Sequence, residues 1–170
     1  MSEQKIQELL AKEQKVFVTI YQIIPGLEKF IGRSQLNNNS NGHRVELPFY
    51  LAAALDKRNL AKMERPKFLE VEIINALKVN PVNVNLHEIC PQFYSFAIKY
   101  LETHEDSELV EVLVKSKRLR SLEIFDRAKR FDEDHMDFVD KLDEEERKIF
   151  EKQRAICEES FSNYVKDFLK

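Results

Sequence analysis

The chain has 170 residues, a net formal charge of −3 and 43% apolar residues. A chain this long can bury about 70% of its unfolded surface, so it needs neither a disulfide nor a metal to fold. The slight acidic excess excludes the strongly basic signature of an autonomous nucleic-acid-binding domain. Cys90 and Cys157 stand far apart and form no CxxC pair, which points to a reducing, intracellular compartment. No apolar run approaches the ~18 residues of a membrane span, and the first residues lack a signal-peptide core.

In chain order, Lys15-Val16-Phe17-Val18-Thr19-Ile20-Tyr21 is β-branched or aromatic almost throughout, which predicts a strand. Pro25-Gly26 reads as a turn, and the polar stretch between Gly32 and Gly42 reads as an exposed loop. Arg44 to Leu47 suits a second short strand. All three glycines and all five prolines precede residue 92, and the remainder is rich in Leu, Glu, Lys and Arg. That remainder is expected to be helical nearly throughout. The predicted fold is mainly α: a small strand-containing N-terminal domain, 1–46, followed by a bundle-like α-helical domain, 47–170.

Pro48 can occupy the first turn of a helix over Phe49–Leu55, where its missing N–H costs nothing. A second helix is expected from Pro66 to Lys78, ended by Asn80-Pro81. A third runs from Leu86 to Tyr100, with one apolar stripe and with Pro91 either starting or kinking it. Between Ser107 and Phe131 the apolar residues scatter nearly round the helix, so it is buried on most sides. Its own neighbours can surround it, or part of it can be left for another subunit. From Leu142 to Phe168 the apolar residues keep to one stripe, as in an ordinary amphipathic helix against a core.

Catalytic patterns are absent from the sequence. Cys90 lies on an apolar helical stripe and reads as a buried, inert thiol, not a nucleophile. No GxGxxG or GxxxxGK[ST] occurs, which removes nucleotide binding through those loops. His43, His87, His104 and His135 are too dispersed for a zinc site. The run Asp132-Glu133-Asp134-His135 lacks the glycine and oxygen spacing of a calcium loop. It reads as a solvated acidic linker whose end caps the final helix. No metal, cofactor or enzymatic activity is expected. Residues 115–130 carry a net +5, and residues 132–146 a net −8. Lys115, Lys117, Arg118 and Arg120 are thus candidates for nucleic-acid or ion-pair contacts. Because these bases point to several faces, ion pairs are the better use.

Three stretches carry a resemblance. Leu9-Leu10-Ala11-Lys12-Glu13-Gln14-Lys15-Val16 continues to Ile24-Pro25-Gly26-Leu27. Val45-Glu46-Leu47-Pro48-Phe49-Tyr50-Leu51-Ala52 follows, with Tyr50 where tryptophan is usual. Then come Asn80-Pro81-Val82-Asn83-Val84-Asn85-Leu86-His87 and Pro91-Gln92-Phe93-Tyr94. In order and spacing these resemble the subunit 3 family of the eukaryotic GINS complex. The resemblance implies a nuclear, non-enzymatic subunit in a 1:1:1:1 heterotetramer with three sister GINS subunits. It also implies a place in the replicative helicase, beside the minichromosome-maintenance hexamer and its RecJ-like companion, with DNA contacted indirectly at most. The 107–131 helix then becomes an intersubunit surface, and Leu109, Val112, Leu113, Leu119, Leu122 and Phe125 are the interface residues expected. A helical adaptor of an unrelated complex, or a nucleic-acid-associated regulator using the 115–130 helix, remain the alternatives.

Overall fold

A computed structural model describes residues 9–21, 43–130 and 132–169. The turn at Pro25-Gly26, the loop between Gly32 and Gly42, and Phe131 lie outside the described residues. The chain divides into two compact units, residues 1–70 with 95–105, and residues 71–94 with 106–170. The boundary expected near Glu46 falls inside a strand of the first unit.

The first unit is built on a three-stranded antiparallel sheet of order β2-β1-β3. Strand β1 (Lys15–Ile20) pairs with β2 (His43–Pro48) from Lys15↔Pro48 to Ile20↔His43. On its other side it pairs with β3 (Ala61–Met63) through Val18↔Met63 and Ile20↔Ala61. Period-2 alternation buries Val16, Val18 and Ile20 and leaves Lys15, Phe17 and Thr19 on the opposite face. On that face Arg44 lies over the Phe17 ring at 4.0 Å and grips Glu64 with two hydrogen bonds of 2.8 and 2.7 Å. This bonding holds the Glu64 carboxyl below the usual carboxylate range. Helix α1 (Phe49–Asp56) starts directly after β2, with Pro48 at its N-cap and not inside its first turn. Phe49 and Phe68 both meet Phe96 with ring centroids 4.7 Å apart, an aromatic cluster that anchors α1.

β3 has no counterpart among the predicted strands. Three residues, Ala-Lys-Met, are too few to show a period and contain no β-branched side chain. What makes β3 possible is the turn before it. Asn59 adopts φ 56°, and Leu60 N–H returns to the Leu55 carbonyl at 3.1 Å, so the chain reverses out of α1. Met63 N–H then donates to Asp56 at 3.1 Å.

In the second unit, the helix expected over Pro66–Lys78 is two elements. A 3₁₀ turn at Lys67–Leu69 belongs to the first unit, Glu70 is extended at ψ 161°, and α2 (Val71–Val79) opens the second. The chain thus breaks its helix where it passes between units. The helix expected from Leu86 to Tyr100 is also two, α3 (Leu86–Ile89) and α4 (Phe93–Leu101). Cys90, before Pro91, is extended at φ −164°, because a residue preceding proline avoids helical geometry. Pro91 therefore separates two helices, neither starting nor kinking one. Helix α5 (Ser107–Lys129) is capped by Asp106, whose side chain accepts from Leu109 N–H. In the acidic stretch after it Asp132, Glu133, Asp134, Asp137 and Asp140 are exposed and Asp143 caps the final helix, as expected, but the stretch is not a linker alone. It contains α6 (Met136–Val139) and buries Phe138 and Leu142 in a cluster with Ile124, Ala128 and Phe150 of α5 and α7 (Glu144–Phe168).

Asn tolerates the left-handed region better than any residue but glycine. Asn59→Val is expected to cost about 1–3 kcal/mol and Asn59→Gly much less, measured by urea denaturation of the full chain.

Candidate protein-interaction surface

The relation between α5 and α7 determines which residues face solvent. It is set by one side chain. Arg120, on the inner side of α5, is fully buried, and its Nε donates to Glu146 Oε1 at 2.9 Å while Nη2 donates to Oε2 at 2.7 Å. Nη2 also reaches the Lys141 carbonyl at 3.0 Å. Nη1 donates to the carbonyls of Pro81 (2.6 Å) and Val84 (3.0 Å), in and after the 3₁₀ turn Pro81–Asn83. One guanidinium thus fastens α5 to α7, to the segment leading into α7 and to the turn after α2.

Glu146 is itself part of a capping box. Asp143 Oδ1 accepts from Glu146 N–H at 2.8 Å, and Glu146 Oε2 accepts from Asp143 N–H at 3.3 Å. The second Asp143 oxygen accepts from Tyr94 N–H at 3.4 Å, so one carboxylate serves the starts of α7 and α4. Burial, and then the neighbouring Glu146 charge, push the Asp143 carboxyl up to about 6. Burial likewise raises the Tyr94 hydroxyl and takes the Cys90 thiol up to about 11, so Cys90 is a packed side chain with no thiolate character.

The pairing register shows how far the two helices accompany each other. Lys117 meets Glu145, Arg120 meets Glu146, and Ile124 clusters with Phe150, at sequence offsets of 28 and 26 in the first two pairs. Both chains advance together, so the helices run parallel. With an offset of 26, Lys129 at the end of α5 stands level with about residue 155. The last turns of α7 therefore extend about 20 Å past α5 at 1.5 Å per residue. Ile156, Phe161, Tyr164, Phe168 and Leu169 on this arm are each more than half exposed, with Tyr164 at 69% and Phe168 at 79%. This corrects the sequence expectation. The apolar stripe of 142–168 meets a core only through its first part, where Leu142, Glu146 and Phe150 are buried. Tyr164 and Phe168 stack on each other, with centroids 6.5 Å apart, on the bare face.

Within α5 the expected interface residues separate. Leu109, Val112 and Leu113 are buried in their own unit, whereas Leu119, Leu122 and Phe125 face solvent. Leu119 and Leu122 line an open groove of about 500 Å³ together with Val79, Pro81 and Val82. The four bases separate as well. Arg120 is enclosed, and Lys117 is paired with Glu145 at 3.2 Å and lies 4.7 Å from the Tyr94 ring centroid. Lys115 and Arg118 stay on the outer side. The α7 arm is the surface that sequence periodicity assigned to a core, because a stripe looks the same whether its cover is intrachain or another protein. Among the described residues no group of His, Cys, Asp and Glu is placed to hold a metal, and no helix is long and apolar enough to cross a membrane.

Replacing Arg120 by Ala strands Glu146 as a buried, unpaired charge, so a loss of about 3–5 kcal/mol is expected in denaturant unfolding. Arg120→Met with Glu146→Leu should cost clearly less than the single change. The Asp143 carboxyl gives a second test. Its folded value lies above the ordinary ~3.9, so the folded chain binds the extra proton between about pH 4 and 6. The stability it contributes is complete below pH 4 and lost as pH rises through 6, about 3 kcal/mol over the window. Asp143→Asn keeps the capping oxygen and should remove this part of the pH dependence, as read from unfolding free energies at pH 4 and pH 7.

Comparison with known proteins agrees with this architecture. The family profile Sld5, described as the GINS complex protein helical bundle domain, matches residues 68–165. The DNA replication complex GINS protein psf3 of Aspergillus fumigatus is 32% identical over 159 residues, 88% of this chain and 89% of that protein. The corresponding protein of Phaeosphaeria nodorum is 30% identical over 85% of this chain and 86% of its own length. The human one is 28% identical over 86% of this chain and 72% of its own length. With the helical bundle matched across more than half of the chain and relatives 30–32% identical over 85–88% of it, the chain belongs to the GINS complex subunit 3 family.

Proposed function

We propose that this chain is a non-enzymatic structural subunit of the GINS heterotetramer and that it acts in chromosomal DNA replication. The observation that carries the reading is the near full-length similarity to proteins named as components of the DNA replication GINS complex. In this reading the chain works in the nucleus, joined 1:1:1:1 with three sister subunits. The tetramer belongs to the replicative helicase, with the minichromosome-maintenance hexamer and its RecJ-like companion, and supports initiation and elongation.

The bare arm of α7 supports a role in assembly. An apolar stripe of this size, left open on a charged helix, is the usual mark of a protein-binding surface. The charges of the arm are mostly acidic, with Lys166 against Glu158, Glu159 and Asp167. A membrane-surface helix would instead be dominated by bases. The arm is assigned to a sister subunit, whose apolar surface covers Phe161, Tyr164 and Phe168. Leu119, Leu122 and Phe125 are the α5 residues that remain available for such contacts.

A tagged copy recovered from its source cells is expected to carry three other small subunits in equal amounts. Recovery as a monomer or self-dimer without them would sink the replication role. Phe161→Ser with Phe168→Ser should weaken recovery of the sisters by about tenfold or more, because buried aromatic anchors dominate interface energies. The unfolding midpoint of the isolated chain should barely move, since both side chains lie outside its core.

A further inference from the structure

The turn that leaves α4 holds a hydroxyl that the assembly role does not use. Glu102, Thr103 and Glu105 are exposed there, after the end of α4 at Leu101. Of all serines and threonines in the chain, Thr103 alone has an acid three positions on, Asp106. Glu105 adds a second acid between them, and Glu102 a third just before the hydroxyl. Glu105 lies in no helix or strand, and Asp106 is extended at φ −140°, ψ 92°. That is the backbone form in which a peptide lies along the groove of another protein.

The hydroxyl is also tied into the first unit. Thr103 Oγ1 donates its single proton to the Tyr100 carbonyl at 2.8 Å, in the last turn of α4. His104 Nδ1 lies 3.0 Å from the same oxygen, so Nδ1 is the donor in that pair. The His104 ring stacks on Tyr100, with centroids 4.6 Å apart and planes within 1°, and its Nε2 faces Asp56 Oδ2 at 3.3 Å. Asp56 Oδ1 in turn accepts from Met63 N–H of β3 at 3.1 Å. One chain of contacts thus runs from the Thr103 hydroxyl through His104 and Asp56 to the short edge strand.

From this we infer that Thr103 is a phosphorylation site for an acid-directed serine/threonine kinase, and that the phosphate loosens the end of α4 and the anchor of β3. The donor is a nucleoside triphosphate. The bond from Oγ1 to the γ-phosphorus forms, the bond from that phosphorus to the β,γ-bridging oxygen breaks, the hydroxyl proton leaves and the nucleoside diphosphate departs. Acids on the C-terminal side of the acceptor match a basic substrate groove, and such charge patterns are how kinases select. Once esterified, Oγ1 has no proton for the Tyr100 carbonyl. The added charge of about −2 stands at the C-terminal end of α4, where the helix dipole is itself negative, and beside Glu102 and Glu105. His104, already next to Oγ1, is drawn to the phosphate and away from Asp56. The site is independent of the assembly role proposed above.

The test treats the full chain with a purified acid-directed serine/threonine kinase and magnesium ATP, and maps phosphate by peptide mass spectrometry. Phosphate on Thr103 is expected, and none at this position after Thr103→Val. Glu105→Gln with Asp106→Asn removes both charges, keeps the capping oxygen of α5, and should slow incorporation about tenfold. Unfolding of that variant should match the parent. The chain carrying the phosphate should melt about 3–6 °C below the unmodified one. Phosphate on other residues only, or incorporation into the acid-neutralised variant within about twofold of the parent, overturns the site. Phosphate on Thr103 that leaves the melting temperature within about 1 °C overturns the coupling to α4 and β3.

Discussion

Everything in the second unit is referred to the guanidinium of Arg120. It is fully buried, it meets the Glu146 carboxylate with both oxygens engaged, and it spends its remaining donors on the backbone carbonyls of Pro81, Val82, Val84 and Lys141. A buried ion pair of this kind contributes little net stability relative to apolar side chains of the same volume. What it contributes is register. The planar fork accepts its partners in one geometry, so the turn after α2, the segment leading into α7 and the first turn of α7 are held at one level along α5. The cluster of Ile124, Ala128, Phe138, Leu142 and Phe150 fills in one turn further on.

The Asp143–Glu146 capping box extends this arrangement to α4. Glu146 takes the cation, and the neighbouring buried carboxylate, Asp143, is stabilised by the N–H groups at the starts of two helices. That is a buried and electrostatically crowded way to begin a helix, and burial first, then the Glu146 charge, raises the Asp143 value. In the first unit the corresponding task falls to aromatic packing around Phe96 and to the strand register set by Val16, Val18 and Ile20. One unit is organised by a polar centre, the other by an apolar one.

Much of this was legible in the residues. β1 and β2 announce themselves by β-branched alternation, and the three motif segments point to the family. The places where reading failed have identifiable causes. β3 is too short to carry a period. Glu70 and Cys90 interrupt helices, the first where the chain changes units and the second through the proline that follows it. α6 is hidden because the acids around Phe138 and Leu142 dominate the composition of that stretch. Arg120 looked like any other base on a basic helix. Only its position on the same side as Leu113 and Ile124 distinguishes it, and that requires knowing which side of α5 is inward. Periodicity finds a stripe but not its cover, which is why the α7 stripe was assigned to a core.

The parallel offset of α5 and α7 makes the arm a cantilever. Its root is clamped between Glu146 and Phe150, and its tip at Phe168 lies about 27 Å further on at 1.5 Å per residue. A tilt of about 10° at the root would carry the tip aromatic pair sideways by about 5 Å, half the usual distance between packed helices. Contacts at the end of the arm are thus sensitive to small angular changes made at its base, far from any residue a partner touches. Substitutions around the clamp can therefore misdirect the tip while leaving every residue of the contact surface unaltered.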